Sequence, residues 1–375
     1  MPLFLRCESY RNLLTARPTQ FIPALNGLRA IAALTVFAFH ASQNGLLPEG
    51  LARSNSGPLG VMLFFCLSGL LMAELYIRQD VSVGSVWNFV RARFARIFPL
   101  FSVIVVGSAL IYHFDTRFPF QLDATGAAKH LLLFGDGLTM WSISVEFQFY
   151  ALFIALWVLY AALPERHRNI GLALICIGLV FALRVAGYPG GKIAITHYGQ
   201  CFLVGVLAAI ILWHTQTAAA IGRTASLVLP FLLALGVLLW VILAPTDCYR
   251  ALPLLILTGT IVLASGAGMG FFAGRVLGSK LMVYLGEVSF GIYLLHRPVM
   301  YFWQELIGLR LNGTAMFLII TATLLAASHL AYRWIEQPAR RALSPSSRGG
   351  RRWYSGDVVM VQASRGASAL ASGQG

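Results

Sequence analysis

Ten long apolar runs follow one another along this chain, each close to the length that crosses a lipid bilayer. They fall near residues 25–45, 59–77, 97–113, 141–163, 169–187, 194–214, 225–245, 251–273, 281–303 and 313–334. A spanning helix needs roughly 20 apolar residues to cover about 30 Å of hydrocarbon. Ten such helices use about 200 residues, which leaves short loops, one tail and no room for a separate soluble domain in a chain of 375. A β-barrel is disfavoured, because its strands alternate over about ten residues and these runs are continuous. Composition excludes the remaining classes. Apolar residues make up 58% of the chain and charged residues 11%, against roughly 25% charged in a soluble domain. Such a chain cannot cover a water-facing surface, and a disordered chain needs the opposite balance. The expected fold is an all-α polytopic membrane bundle of about ten transmembrane helices.

The net charge of +14 would suggest nucleic acid in a soluble protein. Here it sets the orientation. With the N-terminus in the cytoplasm, 20 of the 28 Lys and Arg residues face inward and 8 lie on the outer side or at outer helix ends, as the positive-inside rule requires. Both termini are then cytoplasmic. Residues 1–20 form a cytoplasmic segment, 21–341 the membrane part, and 342–375, rich in Ser, Gly and Arg, a disordered basic tail. The stretch Phe114–Met140 reads as an outer loop with a half-buried segment. No cleavable signal peptide is expected, since the first twenty residues are polar and basic. Cys66, Cys176 and Cys201 fall within spans, Cys7 in the cytoplasm and Cys248 in an outer loop. With no CxxC pair, neither a metal site nor a disulfide framework is expected.

Ionisable groups at membrane depth are costly and point to function. In the first run Arg29 and His40 stand eleven residues apart. That is close to three turns, so both share one stripe about 16 Å apart along the axis. An arginine can also snorkel to the interface, whereas an imidazole after ten apolar or small residues suits a general base. Arg93 and Arg96, in the loop Arg91–Pro99, have the spacing of one helical face. Two guanidinium forks suit a phosphate-bearing ligand; ordinary inward-facing charge is the other reading. The fourth run opens with Trp141, Ser142, Glu146 and Tyr150, the last three on one stripe. Glu146 should lie at a depth similar to His40, either as catalytic group or as partner to a buried cation. Trp141 and Tyr150 also fit an aromatic belt. In the ninth run Ser289, Tyr293 and His296 share one face, with His296 at the outer end as helix end or ligand contact.

In these residues the chain resembles the acyltransferase-3 family of integral membrane O-acyltransferases, which acylate bacterial surface carbohydrates. LNGLRAIAAL with Arg29 and His40, GPLGVMLFFCLSGL with Ser68 and Gly69, the Arg93/Arg96 pair, WSISVEFQFY with Trp141 and Glu146, LGEVSFGIYLLHRP with Tyr293, His296 and Pro298, and YRWIEQP with Glu336 and Pro338 match its motifs in order. The resemblance runs from about Ile22 to Arg341. Asn26 departs from the family's usual Asp, and Leu70 from its Phe.

The resemblance implies a multi-pass protein of the bacterial inner membrane. It implies acyl-CoA, acetyl-CoA first, as a cytoplasmic co-substrate with no permanently bound cofactor, and a carbohydrate hydroxyl as acceptor. His40 and Glu146 would be catalytic, His40 as base on the hydroxyl or as transient acyl carrier, with Glu146 orienting or polarising the histidine. Arg29, Arg93 and Arg96 would hold the donor. Trp141, Ser142, Tyr150, Ser289, Tyr293 and His296 would contact the substrate. No fused SGNH-type domain is expected, which leaves room for a separate partner protein. A proton-coupled transporter of a polar substrate is the competing class, because intramembrane His and Glu also serve carriers, although the halves show no self-similarity.

Overall fold

The computed structural model describes residues 22–47, 56–215, 248–266, 272–308 and 312–343. All regular structure among them is helical. Helix α1 is Pro23–Gln43, α2 Ser56–Ile77, α3 Val83–Phe114 and α4 Ala124–Leu131. Helices α5, Trp141–Ala162, α6, Arg168–Val185, and α7, Ile195–Thr215, follow. The last are α8, Leu252–Gly266, α9, Lys280–Glu287, α10, Ser289–Tyr301, and α11, Gly313–Leu343.

Local chemistry explains the ends. Pro23 opens α1, where a missing N–H is cost-free. Ser82 and Ser85 form a reciprocal capping box ahead of α3, at 3.0 and 2.8 Å, which satisfies two orphan donors of the first turn. That cap overturns one expectation: Arg91–Pro99 is not a loop but part of the 32-residue α3. Pro99 is accommodated inside it, where Ser102 Oγ donates to the Pro99 carbonyl at 3.0 Å.

Among the described residues, seven helices are long and apolar enough to cross a membrane. The expected number of ten is therefore met only in part. The eighth run forms α8, 15 residues long. The ninth is divided at Val288 into α9 and α10. The run 225–245 and both chain ends lie outside the described residues. Phe114–Met140 holds the short α4, whose His130 is buried. Cys248, expected in an outer loop, is buried, as are the free cysteines Cys66, Cys176 and Cys201 among the described residues.

The bundle is arranged around α1. Of its most apolar stretch 78% is buried, against 11% for the sixth helix. On α6, Ile170, Leu174, Ile177 and Phe181 form an exposed stripe at 3- and 4-residue steps, the pattern of a lipid-facing side. With lipid outside there is little hydrophobic drive between helices, so close contact depends on small residues. A Cβ on Gly69 of α2 would clash with the Phe202 carbonyl of α7, and one on Gly205 of α7 with the Cys66 carbonyl of α2. Gly286 of α9 fits against the Asn26 backbone of α1 in the same way.

Candidate active site

Helix α1 carries Arg29 and His40, both buried. His40 lies in its last turn, with Nδ1 3.0 Å from Gln43 Oε1 and 3.0 Å from Arg297 Nη2. Helix α10 lays His296 against it. The two imidazoles stack with centroids 5.1 Å apart and planes 9° apart. His296 Nδ1 donates to the Ile292 carbonyl at 3.3 Å. That bond fixes the tautomer and leaves a lone pair on Nε2, a buried atom with no partner among the described residues.

One turn along α10, the Tyr293 hydroxyl lies 2.8 Å from Ser142 Oγ. Both reach the Thr139 carbonyl, at 2.8 and 3.1 Å. One turn further along α5, Glu146 Oε1 accepts from Ser68 Oγ at 2.6 Å and from the Tyr150 hydroxyl at 2.9 Å. The guanidinium groups of Arg93 and Arg96 act on this carboxylate. Arg93 donates to the Tyr76 hydroxyl at 3.3 Å. Beyond them Glu336 and Arg340 form a buried pair at 2.9 Å, again within the field of Arg96.

These contacts make one file of polar groups through an apolar bundle. At one end stand His40, His296 and Arg297. Uncharged hydroxyls of Ser142 and Tyr293 fill the middle. At the other end are Glu146, Arg93, Arg96, Glu336 and Arg340. Two helical turns, about 11 Å, separate the His296 level from the Glu146 level. An imidazole at one end suits proton transfer, and guanidinium forks at the other suit anions.

The arrangement departs from several expectations. Glu146 does not orient His40: its oxygen is bonded to Ser68 and Tyr150, and the described residues offer no contact between them. The reason lies in the segment before α5. Thr139 and Met140 are buried and Ser144 Oγ donates to the Gly135 carbonyl, so α5 starts inside the bundle and Glu146 falls at the arginine level. Ser289, expected on substrate, is fully buried at the α9–α10 break and gives its hydroxyl to Gly286. Tyr150, expected on substrate, gives its hydroxyl to Glu146, and Trp141 is half-buried against Tyr198, with ring centroids 4.6 Å apart. Gln43, Arg297 and Tyr76 were not singled out. Gln43 looks like an ordinary polar helix end, and Arg297 like one more interfacial charge. Ser68 is a lone hydroxyl in an apolar run, which is the signal the sequence offers for it.

The model of the acyltransferase-3 family, described as an acyltransferase domain, matches residues 22–333. The chain belongs to this family. The acyltransferase MdmB of Streptomyces mycarofaciens is 28% identical to it over 86% of this chain and 92% of MdmB. The peptidoglycan O-acetyltransferase OatA of Listeria monocytogenes is 22% identical over 86% of this chain and 56% of OatA, so the chain spans little more than half of that relative. No solved structure matches the chain. This acyltransferase-3 protein is thus a membrane-bound O-acyltransferase, and the transporter reading gives way. The file described above runs through the matched region, apart from Glu336 and Arg340 just beyond its end.

Proposed function

We propose that the enzyme moves an acyl group, acetyl first, from cytoplasmic acyl-CoA to a hydroxyl of an extracytoplasmic or lipid-linked carbohydrate. The reading includes the bacterial inner membrane, with N-terminus and Arg93/Arg96 on the cytoplasmic side. The observation that carries it is the polar file, with guanidinium groups at one end and an imidazole pair at the other. Arg93 and Arg96 take the donor's phosphates, and Glu146 holds them in place between donors. The acyl thioester reaches past Ser142 and Tyr293 toward His40. His40 Nε2 takes the proton of the acceptor hydroxyl as its oxygen attacks the thioester carbonyl carbon. The C–S bond then breaks, and the proton passes from His40 to the leaving thiolate. His296 Nε2 accepts a hydrogen bond from the acceptor, and Trp141 lines its approach. The free lone pair of His296 and the ring nitrogens of His40 support these assignments.

The test uses the purified protein in lipid nanodiscs with radiolabelled acetyl-CoA and a glycan fraction from the cell envelope. Label should pass to alkali-labile ester on the glycan, and His40→Ala should abolish transfer at unchanged protein level. Transfer that persists in His40→Ala removes His40 from catalysis. Label that stays on CoA with every glycan fraction removes the carbohydrate acceptor.

A further inference from the structure

His40 Nδ1 has two partners with opposite demands. Gln43 Oε1, at 3.0 Å, can only accept, so it requires a proton on Nδ1. Arg297 Nη2, also at 3.0 Å, can only donate, so it requires a lone pair there. One ring nitrogen cannot meet both demands. With the proton on Nδ1, Nε2 is a free base. With Arg297 bonded to Nδ1, the neutral ring carries its proton on Nε2 and cannot act as one. Arg297 is poorly satisfied where it stands, because its Nε is buried with no partner among the described residues. Gln43 is exposed at the helix end, so it has no packing duty there.

We infer that Gln43 and Arg297 are opposed positioning residues for His40, Gln43 selecting the tautomer whose Nε2 is basic and Arg297 holding the inactive one until a substrate oxygen draws it away. The inference rests on the reading of His40 as the base. In the active state Gln43 Oε1 accepts from Nδ1–H, and it keeps that bond when the ring becomes imidazolium. Arg297, repelled by the proton on Nδ1, turns its guanidinium to the carbonyl oxygen of the acyl group, where negative charge develops during attack. The proton balance of transfer is unchanged: Nε2 takes one from the hydroxyl and returns one to the thiolate. The charged and titratable groups that act on His40 are Arg297 and His296, both from α10.

The experiment compares Gln43→Leu and Gln43→Glu with wild type in membrane vesicles, by initial rates of label transfer from radiolabelled acetyl-CoA to envelope glycan between pH 5.5 and 9, a range set about the ordinary histidine value of ~6.5. Glutamate has only acceptor oxygens, so it keeps the required role whichever way the wild-type amide is turned. Gln43→Leu should lower kcat about 10- to 100-fold, within the usual reach of acid–base catalysis, with the donor KM unchanged. Gln43→Glu should keep kcat near wild type and move the acid limb of the profile to higher pH, because an anion favours imidazolium. Arg297→Leu on its own should also lower kcat, because the developing oxyanion loses its donor. A Gln43→Leu enzyme with kcat within twofold of wild type and an unshifted profile overturns the inference while leaving His40 as base. Full transfer by a His40→Ala control overturns both.

Discussion

The ring of His40 lies flat on that of His296, 5.1 Å between centroids and 9° between planes. The pair joins the last turn of the central helix to the second half of a broken one. Stacking holds the imidazole of α1 in one orientation, and the two rings differ in what they can do. His296 is fixed by a backbone carbonyl, whereas the Nδ1 of His40 meets two side chains.

Replacing His296 by Phe keeps a flat ring and removes the free Nε2 lone pair. Protein level and the melting temperature in detergent should stay close to wild type. Transfer of labelled acetyl to envelope glycan should fall about 10-fold or more, as for loss of one hydrogen-bonding group in a buried site. Wild-type transfer by His296→Phe would reduce that side chain to packing.

Glu146 is surrounded by hydroxyls and cations inside the bundle. Glu146→Leu leaves Ser68 Oγ and the Tyr150 hydroxyl without their acceptor, and an unsatisfied buried polar group costs about 1–3 kcal/mol. The variant should melt several degrees lower in fluorescence-monitored unfolding. Glu146→Gln keeps the shape and should lose less stability. Equal melting of the Leu and wild-type proteins would mean that these hydrogen bonds contribute nothing to stability.

Gly69 and Gly107 are both helical but should respond oppositely. Alanine at 69 meets the Phe202 carbonyl of α7, and overpacking typically costs about 1–3 kcal/mol. Alanine at 107 meets nothing within 4 Å and should gain up to about 1 kcal/mol from reduced chain freedom. Thermal unfolding of the two variants in the same micelle gives the sign of each.

Asp115 stands just past the end of α3, where it accepts from Arg117 Nε at 2.9 Å and Nη2 at 2.7 Å, and from the Tyr301 hydroxyl. Hydrogen bonds from Arg117 and then Tyr301 hold its carboxyl well below the usual carboxylate range. A lowered folded value means that the stabilisation is complete above the unfolded value of about 3.9 and is lost as pH falls from there through the folded one. Asp115→Asn should therefore melt lower than wild type at neutral pH, and the gap should close as the pH is taken below about 4. A gap independent of pH would mean that the carboxylate charge contributes nothing.

The all-helical, apolar character of the fold was legible because it rests on apolar run length, which the bilayer sets directly, whereas the number of spans was not. Arg29, His40 and Glu146 were legible for the same reason, as costly groups in apolar surroundings. What α5 does at its start was not. The depth of Glu146 depends on Thr139 and Met140 folding inward, a tertiary event that no periodicity records. Arg91–Pro99 reads as a loop because charge and proline signal one in water, whereas the Ser82–Ser85 cap starts a helix before it. Gln43 was invisible because one polar residue at a helix end resembles any other until its partner nitrogen is known.

The middle of the polar file is made only of hydroxyls, Ser142 and Tyr293, held by a backbone carbonyl. In electrical terms it is an insulating plug between two conductors. Each unit charge carried across a membrane exchanges about 2.3 kcal/mol per 100 mV with the potential. On the proposed function, a neutral acyl group passing the plug would exchange none. Such a bundle would then hand a group across the bilayer without discharging the membrane that holds it.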